Sequence, residues 1–270
     1  MKYVKALTIA GSDSVGGAGI QADLKTMSAL GVYGMSVITA VTTQNTLGVG
    51  HIMVVTPDVV ADQIDRVMTD CPPDAIKIGM VNDRETIDTI CRTLSKYQYR
   101  HLVVDPVMVA TSGDVLMKDD ALTAFEQQML PLTTLLTPNI PEAERLSGIA
   151  IRTQEDIRRA AKTIQEKGCR NVLIKGGHLE GEKTDFLFEG DDIQAFPGQH
   201  IPSRNTHGTG CTLSAAITSY LAVGLSLREA VTRAKDYISE AIAQGADIDE
   251  WKGHGPVNHF FNPQPLRKKS

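Results

Sequence analysis

VKALTIAGSDSVGGAGIQADLKTMSALG, Val4 to Gly31, sets the reading of the whole chain. Val4 to Ala10 is a short apolar run that predicts a buried strand. The glycine-rich loop GSDSVGGAG follows. Ile20 to Leu30 then repeats apolar residues at helical spacing and stops at Gly31, a residue that ends helices readily. The unit is strand, loop, helix, and it recurs along the chain.

Strands are expected at Val37–Val41, Ala75–Met80, in HLVVDPVM ending at Asp105, in TTLLTPN ending at Asn139, and in NVLIKGG. Helices are expected at Pro57–Met68, Arg84–Leu94, Asp119–Met129, from Pro141-Glu142 onward, and at Gln154–Glu166, Thr212–Val223 and Leu227–Ala243. Lys183–Phe188 and Ile193–Phe196 alternate apolar and polar residues around a turn, which predicts an antiparallel hairpin. Repeated strand–helix alternation predicts an α/β fold with a mostly parallel sheet. No linker, internal repeat or low-complexity segment divides it, so one domain over residues 1–270 is expected.

Composition excludes several function classes. The 270 residues carry a net charge of −5, and no basic patch is interleaved with aromatics, so nucleic acid is not an expected partner. The basic tail Leu266–Ser270 reads as a solvated end. No run of ~18 apolar residues occurs, so no membrane span is expected. The four cysteines form no CxxC pair; only His207, four before Cys211, stands at a zinc-like spacing from one, and a single such pair is not a metal motif, so no metal is expected there. Scattered cysteines and an N-terminus without a signal-peptide pattern lead to a cytoplasmic expectation.

In a parallel sheet, ligands bind beyond the carboxyl ends of the strands. The residues there are Gly11, Gln44, Met80, Asp105, Asn139 and Lys175. Gly17, Gly19 and Ala22 fit a dinucleotide-type G-x-G-x-x-A. That fingerprint also needs an acidic residue about 20 positions on, and none lies between Asp23 and Asp58. A P-loop fails too, for want of GK[ST]. What remains is a turn whose backbone can approach a small ligand closely. Asp23 beside it either accepts hydrogen bonds from the ligand or favours the helix dipole.

A second glycine turn, Gly208-Thr209-Gly210-Cys211, stands at the head of a helix. Unpaired amides and the dipole make such a place suited to an anion. A thiol there is expected to have a lowered pKa, and Cys211 could act as a base or as a polar neighbour of a transferring phosphoryl group. Tight packing of a small residue is the competing reading. Asn139 and Glu142 supply oxygens suited to Mg²⁺, or else an ordinary helix cap. Lys175, before Gly176-Gly177-His178, offers a cation for phosphate. A cysteine hydrolase using Cys211 with His207 would need an Asp or Asn to orient the histidine, and none is evident.

ALTIAGSDSVGGAGIQADLKTMSALGVYGMSVITAVTTQNT, KIGM, VVDPVM, LLTPNIPEA, KGGH, THGTGCTLSAAI and GHGPVNHF together resemble the hydroxymethylpyrimidine/phosphomethylpyrimidine kinases of the ribokinase-like superfamily. The resemblance implies a three-layer α/β/α sandwich, often dimeric. It implies ATP-dependent phosphorylation of 4-amino-5-hydroxymethyl-2-methylpyrimidine, then of its monophosphate, with Mg²⁺. The pyrimidine would lie against Gly11, Asp23, Gln44, Met80 and Val107. Gly208, Thr209, Gly210 and Cys211 would form the anion hole. Asp105, Asn139 and Glu142 would handle Mg²⁺ and the ATP phosphates, with Lys175 and Lys235 near the nucleotide. Most of the superfamily has Asp as base where this subfamily, like this chain, has Cys. Two rivals are a pyridoxal kinase of the same superfamily and a non-catalytic pyrimidine-binding protein.

Overall fold

The computed structural model describes residues 1–81, 83–108, 117, 119–176 and 183–269; Gly177 and His178 of KGGH lie outside them. The strands are β1 (Lys2–Tyr3), β2 (Lys5–Asp13), β3 (Tyr33–Asn45), β4 (Gly48–Val54), β5 (Ala75–Ile78), β6 (Leu102–Val104), β7 (Leu135–Leu136), β8 (Asn171–Ile174), β9 (Asp185–Glu189), β10 (Asp192–Phe196) and β11 (Lys268–Lys269). The helices are α1 (Gly19–Ala29), α2 (Pro57–Asp70), α3 (Arg84–Leu94), α4 (Asp119–Ala124), α5 (Ile140–Ser147), α6 (Gln154–Glu166), α7 (Thr209–Val223) and α8 (Leu227–Ala243).

Nine strands make one sheet in the order β10-β9-β8-β7-β6-β5-β2-β3-β4. From β8 to β3 all neighbours are parallel. The expected late hairpin, β9–β10, is the antiparallel margin on one side. The opposite margin, β4 antiparallel to β3, was not expected. The basic tail is not merely solvated: β11 pairs with β1, and the Lys269 ammonium meets Asp74.

Successive strand residues point to opposite faces, and the core divides accordingly. Leu7, Ile9, Leu102, Val104, Leu136 and Ile174 pack under α2 to α6. Ala6, Val103, Leu135 and Leu173 pack under α1, α7 and α8. The result is the expected α/β/α sandwich. From β2 the chain first adds β3 on one side and later β5 on the other, so the strand order reverses at β2. A crevice opens at such a switch point, beyond the strand ends.

Candidate active site

A cavity of about 800 Å³ occupies that crevice. Gly11, Gln44, Met80, Asp105, Asn139 and Lys175 all line it, as the strand-end argument requires. Val107, Glu142, Lys235 and the turn Gly208–Cys211 line it as well. Asp23 does not.

Asp13 joins the two glycine-rich segments. Its Oδ2 accepts from the Gly17 and Ala18 amides at 2.9 and 2.8 Å, and its Oδ1 from Val15 N at 3.0 Å. The His207 Nε2 lies 3.1 Å from Oδ2. Burial works to raise the Asp13 carboxyl, but His207 and the loop amides outweigh it and hold it below its usual value. A β-carbon on Gly17 would come within 2.5 Å of the His207 ring. His207 therefore has an acidic partner after all, one that the sequence did not reveal. The partner occupies Nε2, so the Cys–His hydrolase reading finds that nitrogen already committed.

The helix α7 begins at Thr209, three residues earlier than expected, capped by Gly208 with φ of 75°. Its opening amides therefore belong to the turn itself, which lines the cavity; the Thr209 amide donates to the Thr206 carbonyl at 3.3 Å, and the first amides of a helix have no partner within it. Beneath Gly210, Lys175 Nζ donates to Asp105 Oδ1 at 3.1 Å; Thr137 also donates to that oxygen at 3.2 Å. A β-carbon on Gly210 would stand 3.3 Å from Lys175 Nζ and 3.4 Å from Asp105 Oδ2. Burial tends to neutralise Lys175, yet the carboxylates of Asp105 and Glu142 raise its pKa and keep it cationic.

Asn139 and Glu142 form a reciprocal helix cap. Asn139 Oδ1 accepts from Glu142 N at 2.9 Å and Glu142 Oε2 accepts from Asn139 N at 2.9 Å. Glu142 Oε1 takes the Met108 amide at 3.3 Å. Burial raises the Glu142 carboxyl, Lys175 works against this, and Asp105 adds to it. Lys235 Nζ is bound to Asp185 at 2.7 Å on the cavity rim.

Two expectations are corrected. Asp23 is fully buried: its carboxylate takes both a hydrogen bond from Thr8 at 2.6 Å and the Lys77 ammonium at 2.8 and 2.9 Å. It cannot touch a ligand in the cavity. Lys77, overlooked in the sequence, was signalled by its place between Ile76 and Ile78. Burial opposes its charge, but Asp23 holds the ammonium protonated well above its ordinary range. Cys211 is the second correction. Burial pushes its thiol up to about 11; Lys77 lowers it, and Asp23 and Asp105 raise it further. Helix-terminal stabilisation of a thiolate loses to desolvation here, and at neutral pH the group is a thiol.

A further wall of the cavity comes from β2, β3 and the segment just past β5. Met80 lies over Gly11, where a β-carbon would meet its Cε at 2.5 Å. The Gln44 carboxamide stands between Thr42 and His207.

A family model described as Phosphomethylpyrimidine kinase matches residues 13–258. The chain belongs to that family. It is 52% identical over 257 residues to the hydroxymethylpyrimidine/phosphomethylpyrimidine kinase of Rhizobium meliloti, covering 94% of this chain and 96% of that one. It is 51% identical over 264 residues to the thiamine biosynthesis bifunctional protein ThiED of Geobacter sulfurreducens, covering 97% of this chain but 54% of that longer protein. The structure of an ADP complex of Bacillus subtilis pyridoxal kinase superposes with a TM-score of 0.87 at 36% identity, covering 96% of this chain and 98% of the other. The chain is thus a phosphotransferase with the ribokinase-like fold.

The oxygen donors of the site suit a hard cation. Among the described residues no group of three or more His, Cys, Asp or Glu is gathered for a metal. Mg²⁺ in kinase sites ordinarily rests on one or two carboxylates plus substrate phosphates, and Asp105 and Glu142 border the cavity together. Among the described residues no helix is long and apolar enough to cross a membrane.

Proposed function

We propose that this chain, as one domain over residues 1–270, uses ATP to phosphorylate the CH₂OH of 4-amino-5-hydroxymethyl-2-methylpyrimidine and then the resulting monophosphate, in thiamine biosynthesis. The observation that carries this is one cavity with two unlike walls. One wall has Gly11, Gln44, Met80 and Val107, apolar with a single carboxamide, fit for a small aromatic heterocycle. The other has the Gly208–Cys211 turn, Lys175 and Asp105, fit for phosphate.

The chemistry follows from positioning and charge. The substrate hydroxyl oxygen forms a bond to the γ-phosphorus, the bond to the ADP oxygen breaks, and the hydroxyl proton passes to solvent water. Such transfers pass through a loose transition state, and catalysis rests mainly on alignment and neutralisation. The amides of Gly208, Thr209, Gly210 and Cys211 would receive the phosphoryl oxygens, helped by Lys175. Asp105, Asn139 and Glu142 would hold Mg²⁺, directly or through water, and its charge would offset that of the phosphates. Lys235 would approach the nucleotide. The Cys211 thiol, neutral at physiological pH, packs beside the reacting oxygen rather than removing its proton.

The likeness to a pyridoxal kinase supports a second reading, phosphorylation of pyridoxal in the same cavity. Steady-state ADP release with each alcohol separates the two: a larger kcat/KM for pyridoxal would overturn the first choice, and no ADP with either would favour a binding protein. A homodimer is also proposed. Leu47, Ile52, Met53 and Val54 on or beside the β4 margin are exposed apolar residues, a surface of the kind that copies of a chain cover.

A further inference from the structure

The side chain of Gln44 sits in a conflict that its neighbours resolve. Its Nε2 stands 3.3 Å from His207 Nε2, nitrogen facing nitrogen. That histidine nitrogen is also 3.1 Å from Asp13 Oδ2. Asp13 receives three backbone amides, two of them on Oδ2, and is therefore an ionised acceptor. His207 Nε2 must carry a proton to bond it. A protonated Nε2 has no lone pair for the Gln44 amide hydrogens; its one hydrogen goes chiefly to Asp13, and the Gln44 atom that fits beside it at 3.3 Å is the oxygen, which can share that hydrogen where an NH₂ can only oppose it.

The other end of the carboxamide gives the same answer independently. Gln44 Oε1 stands 3.3 Å from Thr42 Oγ1. That hydroxyl has one hydrogen, and the Ser12 carbonyl takes it at 2.8 Å. A carbonyl can only accept, so the Thr42 oxygen is left as an acceptor toward Gln44. The atom that belongs opposite it is the nitrogen. Carboxamide orientation is set by such networks, and both ends of this one require the same half-turn about the terminal bond.

We propose that Asp13, His207 and Thr42 are positioning residues that lock the Gln44 carboxamide with its oxygen toward His207 and its nitrogen toward Thr42, and thereby fix which way round an aminopyrimidine lies. The inference rests on the pyrimidine reading above. With one lone pair free on the oxygen and one hydrogen free on the nitrogen, Gln44 matches an N=C–NH₂ edge in one direction only. The exocyclic amino group lies on the His207 side and the ring nitrogen on the Thr42 side. In 4-amino-5-hydroxymethyl-2-methylpyrimidine the hydroxymethyl carbon neighbours the amino carbon, away from that ring nitrogen. It therefore falls on the His207 side, next to Gly208–Cys211. The opposite polarity would carry the hydroxyl away from the anion turn.

The test reads binding by calorimetry, for the pyrimidine alcohol and for its analogue lacking the 4-amino group. Wild type should prefer the amino compound by about tenfold or more, the loss expected when a buried acceptor is left unpaired. His207→Leu removes the donor that fixes the carboxamide, and the preference should fall to about threefold or less; His207→Gln, which restores a side-chain N–H, should recover it. Full preference in His207→Leu would overturn the proposal. Should that variant not fold, NMR of the labelled wild type without ligand decides. Gln44 carboxamide protons should show contacts to the Thr42 methyl, and His207 should be protonated at Nε2. Contacts to the His207 ring instead, or an unprotonated Nε2, would overturn it. Binding with the expected preference but no ADP formation would count against the kinase function and leave the orientation standing.

Discussion

Gly208 and Gly17 meet backbone to backbone: any side chain at Gly208 would run into the Gly17 carbonyl oxygen. This contact joins the first glycine loop, beside the heterocycle wall, to the turn that heads α7. Gly208 also holds φ at 75°, a conformation that L side chains rarely adopt. Gly208→Ala should therefore cost about 1–3 kcal/mol for the backbone strain alone, with more for the clash. Thermal melting should drop by roughly 2–4 °C per kcal/mol, and kcat should fall because the turn shifts. Wild-type melting and turnover would contradict the packing described.

The buried Asp23–Lys77 pair makes a prediction opposite to that for a ligand contact. Breaking a buried pair leaves one charge uncompensated and costs about 3–5 kcal/mol. Asp23→Asn should thus lower stability in urea unfolding while leaving the KM for the pyrimidine alcohol unchanged. The double change Asp23→Leu with Lys77→Met should regain most of the loss. A raised KM with undiminished stability would return Asp23 to the binding wall.

That pair also shows where sequence reading stops. The strand ends were legible because the apolar runs close on a polar residue or glycine, except for the run that ends at Met80, and all six end residues reach one cavity. The spans of α3, α6 and α8 were legible because Asp83, Thr153 and Ser226 cap them. The start of α7 was hidden by Gly208 and Gly210, which read as loop. The strand β4 was hidden by its glycines and its exposed, unpatterned face. Asp23 and His207 were misjudged for another reason. Their partners, Lys77 and Asp13, are distant in the chain, so no local spacing announces them. Cys211 was misjudged because a helix terminus can be read locally, whereas desolvation and the carboxylates of Asp23 and Asp105 cannot.

Cys211 as a neutral thiol predicts a specific pH response. Its thiolate appears only as pH rises toward about 11, so iodoacetamide labelling of Cys211, followed by mass spectrometry, should be slow near neutrality and climb through that range. Cys211→Ala should lower kcat by less than the ~100-fold that marks the low end of positioned general-base catalysis. A kcat inflection near neutral pH that disappears in Cys211→Ala would contradict this.

His259 predicts acid sensitivity. It is buried against Thr212, with Nε2 3.1 Å from the hydroxyl. Burial, with lesser effects of Lys25 and His207, lowers its pKa from 6.5 to about 4. The folded chain thus binds this proton less readily than the unfolded one. The stabilisation is whole above the ordinary value of 6.5 and is lost as pH falls from there toward about 4, amounting to about 3 kcal/mol. His259→Gln, which keeps a partner for Thr212, should flatten the slope of unfolding free energy with pH across this window. An identical slope in variant and wild type would show that the proton is taken up without penalty.

The joined cavity is tested most directly by following phosphorus NMR of the wild-type chain with ATP, Mg²⁺ and equal amounts of the pyrimidine alcohol and pyridoxal. The account predicts a phosphomonoester resonance on the pyrimidine first, then diphosphate resonances at its expense, as ATP is converted to ADP. Unconsumed ATP, or phosphate appearing on pyridoxal alone, would contradict it.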